Sequence, residues 1–228
     1  MELCEAGNPI STDKYTGLDS ESRLAVYRFY ADLFLSPIPV PGTAFAENLG
    51  SRVAALLASG EGEPSLRTQF EHFVADCENA PEATQTELAL DRSMLLRATK
   101  QAKGPLPPRE GLYRFDRPEK ETIQHVNLFY ARFGSGLAEG VHESPDYIGI
   151  ESAFMAELIA ASLDAAGNAD ETVFWIKAQR DFLERHMLVW VPDCCNMLAA
   201  RANTDAFAGL LYLFRDFIEQ ERFLLCER

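Results

Sequence analysis

The chain has 228 residues and a mass of 25.4 kDa, and 47% of its residues are hydrophobic, enough for one sizeable core or two small ones that share an interface. Its formal net charge of −14 and pI of about 4.7 repel phosphate backbones and anionic lipid, so nucleic acid and membrane surfaces are poor partners and a cationic peptide or protein is favoured. No apolar run reaches the ~18 residues a membrane-spanning helix needs, and no basic segment followed by an apolar one opens the chain, so a cytoplasmic protein without direct membrane insertion is expected.

Residues 1–18 carry Gly, Asn, Pro, Ser and Thr with few apolar anchors and read as a flexible tail, leaving 19–228 as one helical domain. Asp19 or Ser20 caps the first helix, whose Leu24, Tyr27, Ala31, Phe34 and Leu35 fall at helical spacing before Pro37, Pro39 and Pro41 end it. A second helix is predicted over 43–59, and a third carries Leu66, Phe70, Phe73, Val74 and Cys77. Pro81 sits in the first turn of a fourth with Leu88, Leu95 and Leu96 inward. These helices form an N-terminal group, 19–101. The prolines and glycines of 102–117 make a long connection to a C-terminal group, 118–228. Pro118 opens a fifth helix that Gly134 and Gly136 stop. A hinge is read over 134–145, then helices over 146–166 and 170–189, another from Pro192, and a last over 204–225. No alternating strand pattern and no hairpin turn appears, so the fold class is all-α, with about nine to ten helices.

The chemistry-bearing residue types point away from catalysis. The odd set Cys4, Cys77, Cys194, Cys195 and Cys226 contains no C-x-x-C pair and reads as reduced thiols that mostly fill the core. One Glu-x-x-His match, Glu139 to His142, falls in the glycine-bearing hinge, where it cannot share a helical face, so no metal site is expected. There is no nucleophile elbow, no P-loop and no dinucleotide turn, so no catalytic residue and no cofactor is assigned. The acids Glu143, Asp146 and Glu151 gather where the hinge enters the long apolar helix. They fit either the positive end of a helix dipole or a binding rim for a basic, partly apolar partner. Aromatics cluster around the same hinge, Tyr130 and Phe133 before it and Phe154 and Trp190 after it, each at core spacing.

The run ESPDYIGIESAFMAEL, Glu143 to Leu158, resembles the E-x-P-D-H-Φ-x-x-E-L-x-F-M signature of the TorD/DmsD/NarJ family of molybdoenzyme chaperones. It keeps Glu143, Pro145, Asp146, Glu151, Phe154 and Met155, with Tyr147 at the usual histidine and Ser152 at the usual leucine. LFYARFG (128–134) is similar to the family's Y-x-x-F-G. FLERHMLVWVP (182–192) is similar to its F-x-x-x-H-L-x-x-W-x-P, supplying His186 and Trp190. PPREGLYR (107–114) is similar to its P-x-E-S-x-Y turn, with Gly111 in place of serine. The opening YRFYADLFLSP is similar to the family's first helix.

The resemblance implies an all-helical cytoplasmic chaperone and no covalent chemistry. Its client would be the catalytic subunit of a molybdenum-containing oxidoreductase, held by an N-terminal, twin-arginine signal peptide until cofactor insertion and folding are complete. It implies a peptide site at Asp146, and the clustering extends that site to Tyr147, Glu143, Glu151, Pro145, Tyr130, Phe133, Phe154, His186 and Trp190. In this reading an apolar groove supplies affinity and the acids on its rim supply orientation. Tyr147 cannot become cationic near neutral pH, unlike histidine, so a pH-sensitive role at that position is not expected. The glycine-bearing hinge permits either a monomer or a domain-swapped homodimer. The alternative reading is a small helical enzyme or nucleotide-dependent regulator that uses the acidic hinge.

Overall fold

A computed structural model of the chain describes residues 19–38, 71–72, 74–76, 78–96, 105–137 and 141–226. The tail 1–18, the second helix and most of the third, and the middle of the hinge lie outside the described residues. Residues 71–72, 74–76 and 78–79 are helical, in line with the expected third helix. The described elements are α1 (Ser20–Leu35), α2 (Pro81–Leu96), a single turn α3 (Glu110–Tyr113), α4 (Glu119–Arg132), α5 (Ile148–Asp164), α6 (Ala169–Phe182), a π-helical turn (Leu183–Met187), α7 (Val191–Ala199) and α8 (Asp205–Cys226). Among the described residues there is no strand, only an isolated antiparallel bridge between Arg109 and Tyr147. The all-α expectation holds. None of the described helices is long and apolar enough to cross a membrane.

The ends of the helices follow local chemistry. Asp19 accepts from the Ser22 backbone N–H at 2.8 Å and caps α1, while Asn168 caps α6 through Glu171. α4 closes in a Schellman arrangement, with Gly134 at φ +72°, Gly134 N–H on the Ala131 carbonyl and Ser135 N–H on that of Tyr130. Asp91 of α2 receives the backbone N–H groups of Asn203 and Thr204 and the Thr204 hydroxyl at the start of α8. Arg92 donates to the Leu33 and Phe34 carbonyls at 2.7 and 2.6 Å, satisfying the C-terminal end of α1.

The core is built on α1, which packs along α5, and on α8, which packs on α7. Tyr30 stacks on Phe214 at 4.2 Å between ring centroids, and Tyr27 meets Phe217 edge-on at 5.0 Å. Between α1 and α8 the buried Arg23 makes a two-pronged pair with Glu221 at 2.6 and 2.7 Å. Gly149 permits the close crossing of α1 and α5. A β-carbon there would lie 2.8 Å from Leu35 Cγ and 3.0 Å from Phe34 Cβ.

Two expected boundaries are corrected. The long apolar helix begins at Ile148 with Tyr147 as N-cap, not at Asp146, because Asp146 is engaged elsewhere. The single helix expected over 170–189 ends at Phe182 and widens into the π-turn, which brings His186 inward.

Candidate functional site

The residues that carry the motifs meet in one place. The backbone of 108–110 lies against 146–148. Glu110 N–H donates to the Asp146 carbonyl at 2.8 Å, and Ile148 N–H to that of Pro108 at 3.0 Å. Onto this bridge come three more segments. From α4, the Tyr130 hydroxyl donates to the Pro145 carbonyl at 2.9 Å. From the π-turn, His186 Nδ1 lies 2.9 Å from Glu110 Oε2. Next to α7, Trp190 Nε1–H donates to Glu151 Oε2 at 3.1 Å. An aromatic layer of Phe129, Tyr130, Phe154 and Phe182 seals the junction, with His186 stacked on Phe182 at 5.0 Å.

Its charges are buried and used internally. Asp146, Glu110 and Glu151 are all 0% exposed. Asp146 Oδ2 accepts the Gly111 backbone N–H at 3.0 Å; Oδ1 accepts from Ser144 Oγ and, at 3.3 Å, from Arg109 Nε. Arg109 also reaches Glu119 at 2.5 Å, and Arg114 bridges Glu110 and Asp116. Gly111 is small for a reason. A β-carbon there would sit 2.9 Å from Glu119 Cγ and 3.1 Å from Asp146 Oδ2. Burial pushes the Glu151 carboxyl well above the usual carboxylate range, and the charges of Glu110 and Asp146 push it further. Its other oxygen, Oε1, is fully buried and has no hydrogen-bond partner within normal geometry among the described residues.

This corrects the expectation that Asp146 and Glu151 stand on a solvated rim. Each is fully covered and is taken up by partners far away in sequence. Of the ten expected site residues, Asp146, Tyr147, Glu151, Tyr130, Phe154, His186 and Trp190 are buried, and Pro145 is half-buried. Tyr147 turns its hydroxyl onto the Phe34 carbonyl at 3.0 Å. Glu143 is exposed, and Phe133 is half-buried against Phe174 and Trp175. Sequence reasoning missed Arg109 and Arg114, the cations that hold the junction. Their signal was the motif PPREGLYR itself, which carries both.

Among the grooves on the surface of the described residues, two bear on the charge pattern. One, of 370 Å³, runs between α1 and α5. Ala31, Leu35, Ala153, Ala156 and Ala160 form its floor; Asp32, Glu157 and Arg28 stand at its edge. Glu157 Oε2 accepts from Ser135 Oγ at 2.8 Å, joining this rim to the start of the hinge. The second, of 400 Å³, lies between α4 and the π-turn and is lined by Arg117, His125, Leu128, Phe129, Arg132, Arg185 and His186. Among the described residues no group of three His, Cys, Asp or Glu side chains could hold a metal ion.

Residues 59–196 match the family model described as nitrate reductase delta subunit, and the match takes in every segment that meets at the junction. The chain belongs to that family. It is the TorD/NarJ family that the motifs resemble. Over 110 residues the chain is 33% identical to the perchlorate reductase assembly chaperone protein of Dechloromonas aromatica (strain RCB), covering 48% of this chain and 49% of that one. Over 119 residues it is 29% identical to the selenate reductase assembly chaperone protein of Thauera selenatis, covering 52% and 61%. A chaperone protein TorD of Vibrio cholerae serotype O1 (strain M66-2) is 20% identical over 209 residues, 91% of this chain and 94% of that one. The alignments to the two assembly chaperones thus span about half to three-fifths of those relatives.

Proposed function

We propose that this chain is a cytoplasmic assembly chaperone for a molybdenum-containing reductase, that it performs no covalent chemistry, and that it holds its client by a basic, partly apolar N-terminal leader until the client is complete. The relatives' names, reductase assembly chaperones, support the role. The observation that carries the binding mode is the α1–α5 groove: an apolar floor of small side chains, an edge on which Asp32 and Glu157 outnumber the single cation Arg28, and a direct link from that edge to the hinge through Ser135.

Magnitudes divide the work. Each Å² of apolar surface removed from water, on the floor and on the leader alike, contributes ~25 cal/mol before the costs of association, so affinity grows with the length of apolar leader laid along the groove. An exposed arginine–carboxylate pair adds only ~0.2–1 kcal/mol. Shape and greasiness therefore supply affinity, while Asp32, Glu157 and the exposed Glu143 orient the arginines and speed encounter. Asp146 acts as a positioning residue in this reading: its carboxylate fixes the backbone from which α5 departs, and α5 carries half the groove.

The test is calorimetric titration of a leader peptide, an Arg-Arg pair followed by an apolar stretch, into the full chain. Binding that survives physiological salt, and that weakens when Ala156→Asp puts a charge on the floor, is the expected result. Loss of nearly all affinity between low and physiological salt would reverse the assignment of driving force.

A further inference from the structure

The second groove is opposite in sign to the chain that carries it. On a protein of net charge −14, Arg117, Arg132, Arg185 and His125 converge on one opening. They come from three separate pieces of backbone: the α3–α4 link, α4 and the π-turn. Arg132 and Arg185 are exposed and enter no ion pair among the described residues; Arg132 only leans on the Phe133 ring at 5.5 Å. Asp116 stands 3.8 Å from Arg117 and is held more closely by Arg114, at 2.6 and 2.8 Å. Between the cations the floor is apolar. Leu128 is 70% exposed and Phe129 is half-buried beside it.

Each part constrains the occupant. Uncommitted guanidinium groups call for carboxylates or another anion. An exposed leucine flanked by cations calls for an apolar side chain between those anions, because a bare inorganic anion would leave it in water. A twin-arginine leader is excluded by like charge. The placement is also supported from below: Arg114 donates to the Arg185 carbonyl at 3.0 Å, so the buried junction sets where Arg185 stands.

We infer that the α4–π-turn groove is a second docking surface, independent of the leader groove, for an acidic segment of a partner protein in which Asp and Glu flank an apolar residue. It would let one chaperone hold a client or an assembly factor at two points of opposite charge, with the gain in effective concentration that two linked contacts bring.

The full chain is titrated with three probes: a synthetic acidic peptide with a Leu-Leu pair between Asp-Glu and Glu-Asp, inorganic phosphate, and the Arg-Arg leader. The acidic peptide should bind, and Arg132→Glu with Arg185→Glu should weaken it at least tenfold without changing leader affinity or the melting temperature. Leu128→Ser, which leaves every cation in place, should weaken it severalfold. Phosphate matching the peptide in affinity and in sensitivity to the arginine reversals would overturn the inference in favour of a simple anion site. Concentration-dependent dimers abolished by Arg185→Glu would overturn it in favour of a contact between copies. Unaltered peptide binding in the double reversal, or none to the parent, would remove the surface altogether. Failure of the leader alone would leave this inference standing and count only against the proposed function.

Discussion

The buried junction and the α1–α5 groove both contain carboxylates, yet the two sets have opposite circumstances. Asp146, Glu110 and Glu151 are wholly covered, and Asp146 and Glu110 are bonded to Arg109, Arg114, Gly111 and His186. Asp32 and Glu157 are exposed beside an alanine-lined floor. A buried carboxylate that loses its partners costs several kcal/mol, whereas an exposed one contributes a fraction of that. The first set therefore stabilises and positions, and the second is placed to recognise. Acidic motif residues at a helix entry do not by themselves mark a binding surface.

Substitutions sharpen or break this contrast. The largest effect is expected from Asp146→Ala, which strands the Gly111 N–H and uncouples Arg109; unfolding in urea should show a loss of ~3 kcal/mol. A variant as stable as the parent would place Asp146 outside the scaffold. Gly149→Val should cost ~1–3 kcal/mol, because α1 must move away from Leu35 and Phe34, and it should lower leader affinity by distorting the groove. Equal stability and affinity would show that the two helices adjust freely. Asp32→Lys with Glu157→Lys should reduce leader affinity by roughly 2–20-fold for the pair, with the melting temperature nearly constant. The smallest effect belongs to Glu151→Gln, which keeps an acceptor for Trp190. Because folding raises the Glu151 value above its ordinary 4.5, the stability it gives is complete below that pH and declines as pH rises toward the folded value. The glutamine variant should match the parent near pH 4.5 and surpass it at pH 7 to 8 in thermal melts. A gap that shrinks with rising pH would contradict the burial argument.

Much of the fold was legible because it depends on local signals. Apolar spacing gave α1 and α8, Pro81 and Pro118 marked helix starts, and Gly134 marked a stop. The motifs named the residues of the junction but not their exposure. Whether Asp146 is solvated depends on Arg109, 37 positions away, and the surroundings of Glu110 depend on His186, 76 positions away. The π-turn was equally hidden: a single widened turn keeps the composition of an α-helix and shifts only the phase of the residues beyond it. The grooves were invisible because each is formed between elements distant in the chain, α1 with α5 and α4 with the π-turn.

Hydrogen exchange on the full chain, with and without a saturating Arg-Arg leader peptide, tests the division of labour most directly. Slower exchange should appear in α1 and in the middle of α5, around residues 28–35 and 153–160, while the amides of Glu110, Gly111, Leu112, Tyr147 and Ile148, already bonded within the junction, should change little. Protection concentrated at 143–148, with α1 unaffected, would return the motif acids to the binding surface and contradict the account.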